Sequence, residues 1–540
     1  MAMQVTTNTL TGARILTETL KNLGVDTIFG YPGGIVLKVY DELFADSEIK
    51  HVLSRHEQAS VHQAEGYART SGKPGVVLVT SGPGATNVVT GIANAYLDGY
   101  PLVVLTGQVS KELIGKDAFQ EVNIVDMTRS CTKKTYQVTD VRDLEKTLVD
   151  AFYTALSGKK GPVLVDLAKN IFTETTELEG LKLPAFENRS ELEKIPRILS
   201  LLNAAERPVI VAGGGVLHSN ASAELKSLAC GLSIPVVSTM MGLGAFPQND
   251  PLNFGMIGLF GSYSANQILR ESDLIISLGA RFNDRISCCF PNGEIERNLI
   301  QIDINDHEIF RTLNARLGVK GDIKEILSDL LEKVSKDFSD WAQEAQALKA
   351  RNKLPAKKSE KLHSFEVIDA IYNFTKNMGI TVTTEVGQHQ LWCAKGYKFN
   401  YPGQFITSGG LGTMGFGFPA ALGASIAQNG APVICVTGDG SLQMNIQELS
   451  TCVEYDLPVK IFVLNNGYLG MVRQLQEKMC GKRYSQTQIH NPDFVGVAKA
   501  YGVDAVRVEK AEEIPAALEK CFASNAPFLI DFVVEPMEVV

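Results

Sequence analysis

Short apolar, β-branched runs recur along this chain, each ending in glycine or polar residues and each followed by a stretch of helical length. The first part carries Thr27-Ile-Phe29, Val76-Val-Leu-Val79, Leu102-Val-Val-Leu105 and Val163-Leu-Val165, with a helical stretch at Ala13 to Leu23. The second carries Val209-Ile-Val211, Pro235-Val-Val237, Leu274 to Leu278 and Leu299 to Ile302; the third carries Ala431 to Thr437 and Lys460 to Leu464. Runs this short and apolar throughout are strands covered on both faces. Strands separated by helices join in parallel through right-handed crossovers. The pattern predicts an α/β protein of three open parallel-sheet domains, 1–180, 193–345 and 362–540. Polar segments from Glu174 to Glu193 and from Ala347 to Ser364 read as the linkers between them.

Parallel sheets of this kind bind ligands beyond the carboxyl ends of their strands. Two such ends fall together in Gly438-Asp-Gly440, which closes one apolar run, and Asn465-Asn466, which closes the next. A helix is expected between them over Met444 to Tyr455. The glycines let backbone approach a ligand closely, and Ser441 with the helix start offers N–H donors to an anion. An Asp, an Asn and a backbone carbonyl are the hard oxygen ligands that Mg²⁺ takes when it also bridges a ligand phosphate. Taken alone, either piece reads sooner as a turn or a polar loop than as a ligand site.

Composition narrows the function classes. The chain has 540 residues, is 45% hydrophobic and 21% charged, and carries a net charge of −9 with no basic block. That argues against nucleic acid as main partner. No apolar run reaches the ~18 residues of a membrane span, and the N-terminus lacks the basic-then-apolar pattern of a secretory leader. Nine scattered cysteines without a CxxC pair fit reduced thiols, so a cytoplasmic protein is expected. Gly410-Leu-Gly412-Thr-Met-Gly415 matches GxGxxG, but a poor strand precedes it and no acidic residue follows at about 20 residues, so it is not read as a dinucleotide site.

The spacing of Gly-Asp-Gly and Asn-Asn resembles the thiamine diphosphate fingerprint. FGYPGG (29–34), SRHEQAS (54–60), SGPGATN (81–87), TGQV (106–109), KDAFQE (116–121), LGARFNDR (278–285), VGQHQLW (386–392), TSGGLGTMGFGFPAA (407–421) and NNGYLGMVRQ (465–474) extend the likeness. In order and spacing they resemble the catalytic subunit of the acetolactate synthase (acetohydroxyacid synthase) family, over nearly the whole chain. The resemblance implies a pyrimidine-binding first domain, a central FAD-type domain and a diphosphate-binding third domain. It implies a transferase that decarboxylates pyruvate on thiamine diphosphate and joins the two-carbon unit to a second 2-ketoacid, giving 2-acetolactate for branched-chain amino acid biosynthesis.

The same likeness assigns roles. Asp439, Asn466 and the carbonyl of Tyr468 match the metal ligands. Glu57 matches the glutamate that hydrogen-bonds the aminopyrimidine ring and sets its tautomer. Met414 matches the apolar prop under the bent cofactor. Gln388 and His389 match diphosphate neighbours, with Tyr31, Gly33, Val386, Gly412, Gly440, Ser441 and Met471 as further cofactor contacts. Gly34, Phe119 and Gln120 match residues facing the reacting carbon. Lys169 and Arg285 match cations at the channel mouth, Arg285 being the better partner for a substrate carboxylate because guanidinium binds it bidentately. Flavin would meet Gly213, Gly214, Gly215, Gly244, Arg281, Asp303 and Asp322. A homodimer or tetramer with active sites at the dimer interface is implied, with a small regulatory subunit as a further partner.

Three departures stand out. Leu475 occupies the position of a tryptophan that favours 2-ketobutyrate over pyruvate as second substrate. Gly258-Leu-Phe260-Gly replaces Gly-Met-His-Gly beside the flavin. The sequence given ends at Glu535-Pro-Met-Glu-Val-Val540, so a tail lid over the site is expected to be missing. Leu475 keeps another acceptor, such as a keto-sugar, open. A simple decarboxylase fits less well. A non-catalytic homologue kept as an assembly subunit is a reading that intact Glu57, Asp439 and Asn466 oppose.

Overall fold

The computed structural model describes residues 9–186, 189–352 and 359–540; the N-terminal stretch read for a leader and parts of both linkers fall outside them. Three six-stranded sheets, parallel throughout, lie in chain order, as the apolar runs predict. In the first, Thr27–Tyr31 pairs with Lys50–Leu53 on one side and with Gly75–Val79 on the other; the sheet continues through Leu102–Gln108 and Pro162–Ala168 to Lys134–Val138. In the third, Thr381–Thr383 pairs with Phe405–Ile406 and Val433–Gly438, followed by Val459–Asn465, Phe528–Val533 and Asp504–Val508. Numbered within each sheet, both have the order 2-1-3-4-6-5. The middle sheet runs 3-2-1-4-5-6, the order of dinucleotide-binding folds, in which ligands sit where the order reverses. Here that switch point lies between Pro208–Ala212 and Leu274–Leu278.

The expected helix over 444–455 is broken. A short helix Asp439–Leu442 starts at the carboxylate itself, and a 3₁₀ turn Ile446–Glu448 leads into Leu449–Glu454. The break falls at Asn445, whose side chain donates to the Gly415 carbonyl instead of facing solvent from a helix. An Asn side chain recruited to distant backbone interrupts helical propagation.

The first and third domains meet through two helices, Glu57–Ser71 and Gly417–Ala427, that touch backbone to backbone. A Cβ on Gly66 would lie 2.1 Å from the Ala420 carbonyl oxygen, and one on Gly423 would lie 1.8 Å from that of Gln63. Beside this contact a buried ionic cluster crosses the same boundary. Arg69 reaches Glu65 at 2.5 Å and Asp98 at 2.6 Å and donates to the Thr407 carbonyl at 2.9 Å. Asp98 in turn accepts the Gly410 N–H at 2.6 Å, and Asn94 accepts the Ser408 hydroxyl at 2.6 Å. Deleting Arg69 would leave two buried carboxylates without a countercharge, at a cost of about 3–5 kcal/mol. The middle domain is tied to both neighbours: Gln248 and Phe399 exchange two hydrogen bonds, and the His218 ring lies 3.2 Å from the Asp98 carbonyl.

The helix contact gives a contrast between two glycines. Gly423→Ala is expected to destabilise by about 1–3 kcal/mol or more, the scale of overpacking. Gly231→Ala, in the Ser222–Leu232 helix with nothing within 4 Å of the added methyl, is expected to stabilise by about 0.5–1 kcal/mol. Denaturant unfolding of both variants measures the difference.

Candidate active site

The third-domain residues come together at the carboxyl ends of its strands. Val433–Gly438 delivers Asp439, and Val459–Asn465 delivers Asn466 and Tyr468. The two loops are stitched before any ligand arrives. Asp439 Oδ2 accepts the Gly467 N–H at 2.8 Å and the Asn491 side chain at 2.7 Å, and Oδ1 accepts the Gly440 N–H at 3.0 Å. Asn466 Oδ1 accepts the Tyr468 N–H at 2.9 Å, while its amide donates to Gln388 at 3.3 Å. Gln388 is held from behind by Gln474 and by the Glu538 carbonyl. Asp439 is buried, and its donors are neutral; desolvation pushes its pKa up to about 6 against their pull. The pull of the donors and of nearby His389 is outweighed by burial, and a cation taking hard oxygens would favour the ionised form. Among the described residues no group of three or more His, Cys, Asp and Glu could hold a metal, so a metal here depends on the Asp, Asn and carbonyl set.

The other third-domain residues surround this loop. A Cβ on Gly440 would lie 3.7 Å from the Met414 methyl, and one on Gly412 would lie 3.4 Å from Val386. His389 packs under Gly438, with its buried Nε2 3.1 Å from Glu385 Oε1. Ser441 is buried on the short Asp439–Leu442 helix, and Met471 lies in the first turn of Gly470–Met479.

The first-domain residues form a second group. Glu57 is the first residue of its helix, and its carboxylate accepts the Asn87 side chain at 2.9 Å. A Cβ on Gly33 would fall 2.7 Å from the Thr80 hydroxyl, which is buried and unpartnered, and one on Gly84 would come within 3.5 Å of Glu57. Gln120 takes a φ of 60° against Gly82. Gly34 is open, with nothing within 4 Å, Tyr31 is exposed, and Phe119 is 89% exposed. Lys169 follows Pro162–Ala168 on the surface.

A cavity of about 790 Å³ joins the middle and third domains, with Gly214, Gly215, Arg281, Asp303 and Asp322 on one wall and Val386, Gly412, Met471 and Leu475 on another. Arg285 stands on its rim, exposed, 3.6 Å from Asp284, with its carbonyl accepting the Leu259 N–H. Phe260 lines the cavity too. Burial and Arg281 push the Lys159 ammonium below its usual pKa, and burial raises Asp303 to about 6. Gly213 and Gly244 are not on this wall: a Cβ on Gly213 would meet the Gly279 carbonyl at 2.1 Å, and one on Gly244 would meet that of Tyr401 at 2.6 Å. Asp322 caps the Ile323–Leu331 helix through the Lys324 and Glu325 N–H groups.

Comparison with known proteins accounts for all three domains. Residues 10–127 match the family described as thiamine pyrophosphate enzyme, N-terminal TPP binding domain; residues 195–330 match its central domain, and residues 385–532 match its C-terminal TPP binding domain. Acetolactate synthase isozyme 3 large subunit of Escherichia coli (strain K12) is 42% identical over 98% of this chain and 96% of its own length. The acetolactate synthase large subunit of Lactococcus lactis is also 42% identical, over 98% and 93%. The chain belongs to the acetolactate synthase large-subunit family of thiamine pyrophosphate enzymes. A plant relative, acetolactate synthase 3, chloroplastic, of Brassica napus, is 40% identical over 97% of the chain and 83% of its own length. Thiamine diphosphate is thus the cofactor of this family member, and the hydrogen-bonded Asp439–Asn466 loop fits it.

Sequence reasoning missed Asn87, Asn491, Gln474 and Glu538. Each is a polar residue whose role appears only when a distant segment folds against it. The geometry gives a titration test. Carboxylate NMR of the ligand-free protein should place Asp439 near pH 6. Asn491→Ala should raise the value further, because it removes a donor that favours the ionised form. Since the folded value lies above that of an unfolded Asp, ionisation subtracts stability as pH rises through 6, and acidification restores it.

Proposed function

We propose that the chain is an acetolactate synthase catalytic subunit that converts pyruvate and a second 2-ketoacid to a 2-acetohydroxyacid, 2-acetolactate when both are pyruvate. The observation that carries this reading is the likeness, at 42% identity across 98% of the chain, to relatives named for that activity. Thiamine diphosphate, when bound, supplies a nucleophilic carbon and an electron sink for loss of CO₂. Asp439, Asn466 and the Tyr468 carbonyl would hold Mg²⁺ against its diphosphate, with His389, Gln388, Gly440 and Ser441 beside the phosphate oxygens. Glu57, held by Asn87 through one carboxylate oxygen, keeps the other for the aminopyrimidine nitrogen and moves a proton there. Met414, packed by Gly440 and flanked by Gly412 and Val386, would support the bent cofactor. Gln120, Gly34 and Phe119 would line the reacting face, and Tyr31, Gly33 and Met471 would be further cofactor contacts. Arg285 and Lys169 would orient substrate carboxylates.

FAD is the second proposed cofactor. Support comes from the 3-2-1-4-5-6 strand order, the glycines after the strand Pro208–Ala212, and the cavity with Arg281, Asp303 and Asp322 on its wall. Gly213 and Gly244 would act by close backbone packing. The assembly we propose is a homodimer with sites between chains, open to a small regulatory subunit. A cytoplasmic setting agrees with nine free cysteines; no helix among the described residues is long and apolar enough to cross a membrane.

The test is product identification from labelled pyruvate with thiamine diphosphate and Mg²⁺, which should yield acetolactate. Glu57→Gln and Asp439→Ala should each lose activity by about 10²-fold or more. Mixing the two inactive variants under subunit exchange should restore part of it, because one heterodimer site keeps both residues; no rescue would count against a shared site. Leu475, 40% exposed on the cavity wall, generates a specificity test. Wild type should show little preference for 2-ketobutyrate, and Leu475→Trp should raise the 2-ketobutyrate to pyruvate product ratio about tenfold, the scale of one well-packed methylene. A competition assay with both ketoacids reads the ratio.

A further inference from the structure

Glu448 belongs to the third domain, yet its carboxylate is spent largely on the first. It is fully buried in the Ile446–Glu448 turn. Oε1 accepts the backbone N–H of Arg55 at 2.8 Å; Oε2 accepts the Gln63 side chain at 2.9 Å and the Thr451 hydroxyl at 2.8 Å. Arg55 lies two residues before Glu57, in the connection between Lys50–Leu53 and the helix that Glu57 begins, and Gln63 lies on that helix.

Neighbouring bonds grip the same connection. Tyr455 OH accepts the Leu53 N–H at 2.8 Å and donates to the His51 carbonyl at 3.2 Å. The Thr451 hydroxyl lies 3.3 Å from the Leu53 carbonyl. The Arg55 guanidinium bonds Ser450 at 3.2 Å and pairs with Glu454. Five residues of segment 448–455 thus hold segment 51–55 at His51, Leu53 and Arg55, and Glu448 is the one buried carboxylate among them.

We propose that Glu448 is a positioning residue for the reaction, anchoring the Arg55 N–H and Gln63 so that the helix places Glu57 at the cofactor. The proposal rests on the assignment of Glu57 made above. A helix start is the soft end of a helix, because its first N–H groups have no intrahelical acceptor. His56 caps only the Gln58 N–H, at 3.1 Å. Without an acceptor at Arg55, the residues that carry Glu57 are free to fray, and a displacement of about 1 Å at a catalytic group costs about 10²-fold in rate. The acceptor, not the charge, is what the geometry demands. Gln63 Oε1 is buried without a partner. In a Glu448→Gln chain a flipped Gln63 amide would accept from the new NH2, leaving the new amide's oxygen to accept from the Arg55 N–H.

The experiment compares Glu448→Ala and Glu448→Gln with wild type in two readouts. The first is hydrogen exchange at the Arg55 amide in ligand-free protein. The second is exchange of the thiamine C2 proton for deuterium in protein loaded with thiamine diphosphate and Mg²⁺. Glu448→Ala should expose the Arg55 amide and slow C2 exchange at least tenfold, with cofactor affinity within threefold of wild type. Glu448→Gln should stay within threefold of wild type on both. Wild-type C2 exchange in Glu448→Ala, whatever its melting temperature, would reduce Glu448 to a structural tie and overturn the proposal, as would equal impairment of the Gln variant. Should the Ala variant not fold, Gln63→Met removes one donor at similar bulk and should slow C2 exchange at least threefold; an unchanged rate overturns the proposal. Glu57→Gln is run alongside. If it exchanges C2 at the wild-type rate, the fault lies with the Glu57 assignment and not with the anchor.

Discussion

The contact on which the rest of the architecture depends is one that leaves no room for a side chain. The Glu57–Ser71 and Gly417–Ala427 helices approach so closely that Gly66 and Gly423 each face a carbonyl oxygen of the other helix. Each helix leads away from a functional group: Glu57 opens the first, and the Gly-rich loop with Gly412 and Met414 precedes the second. Pinning the helices therefore pins both. The buried Arg69, Glu65 and Asp98 cluster adds direction, since Asp98 accepts N–H groups of that loop while Arg69 takes the Thr407 carbonyl. Close packing supplies the proximity, and the ionic cluster supplies the register.

Electrostatics divides the molecule differently. The hydrogen bonds that Asp439 accepts all come from neutral donors, and desolvation outweighs them and the nearby His389. The Arg69 cluster, by contrast, sets a guanidinium between two carboxylates of the chain itself. The same distinction separates the two Asp residues of the middle domain. Asp322 is occupied as a helix cap, whereas Asp303 is raised by burial on the cavity wall. An unmet electrostatic demand in a preformed loop is a better mark of a binding site than a charged residue as such.

Much of this was legible beforehand, for physical reasons. Strands buried on both faces write themselves as unbroken apolar runs, so all three sheets could be anticipated. Gly-Asp-Gly and Asn-Asn were legible because small residues and hard oxygens recur at the ends of two successive apolar runs. The helix expected over 444–455 failed because Asn445 serves a carbonyl thirty residues earlier in the chain, and periodicity carries no trace of such a bond. The common strand order of the first and third domains was equally hidden, since topology is kept by packing and not by any repeated motif. Gly213 and Gly244 illustrate the reverse: their glycine identity is legible, but neighbouring carbonyls require it at least as much as a ligand would.

The helix pair also joins residues far apart in synthesis. Gly66 and Ala420 are separated by about 350 residues, with the whole middle domain between them. At ~5–20 residues per second, a ribosome takes on the order of tens of seconds to span that gap. Throughout that interval the Gly66 face of the first domain and the Arg69 and Asp98 groups that later bond segment 407–410 wait for their partners. The seam between the first and third domains is therefore closed only after the middle domain has been made.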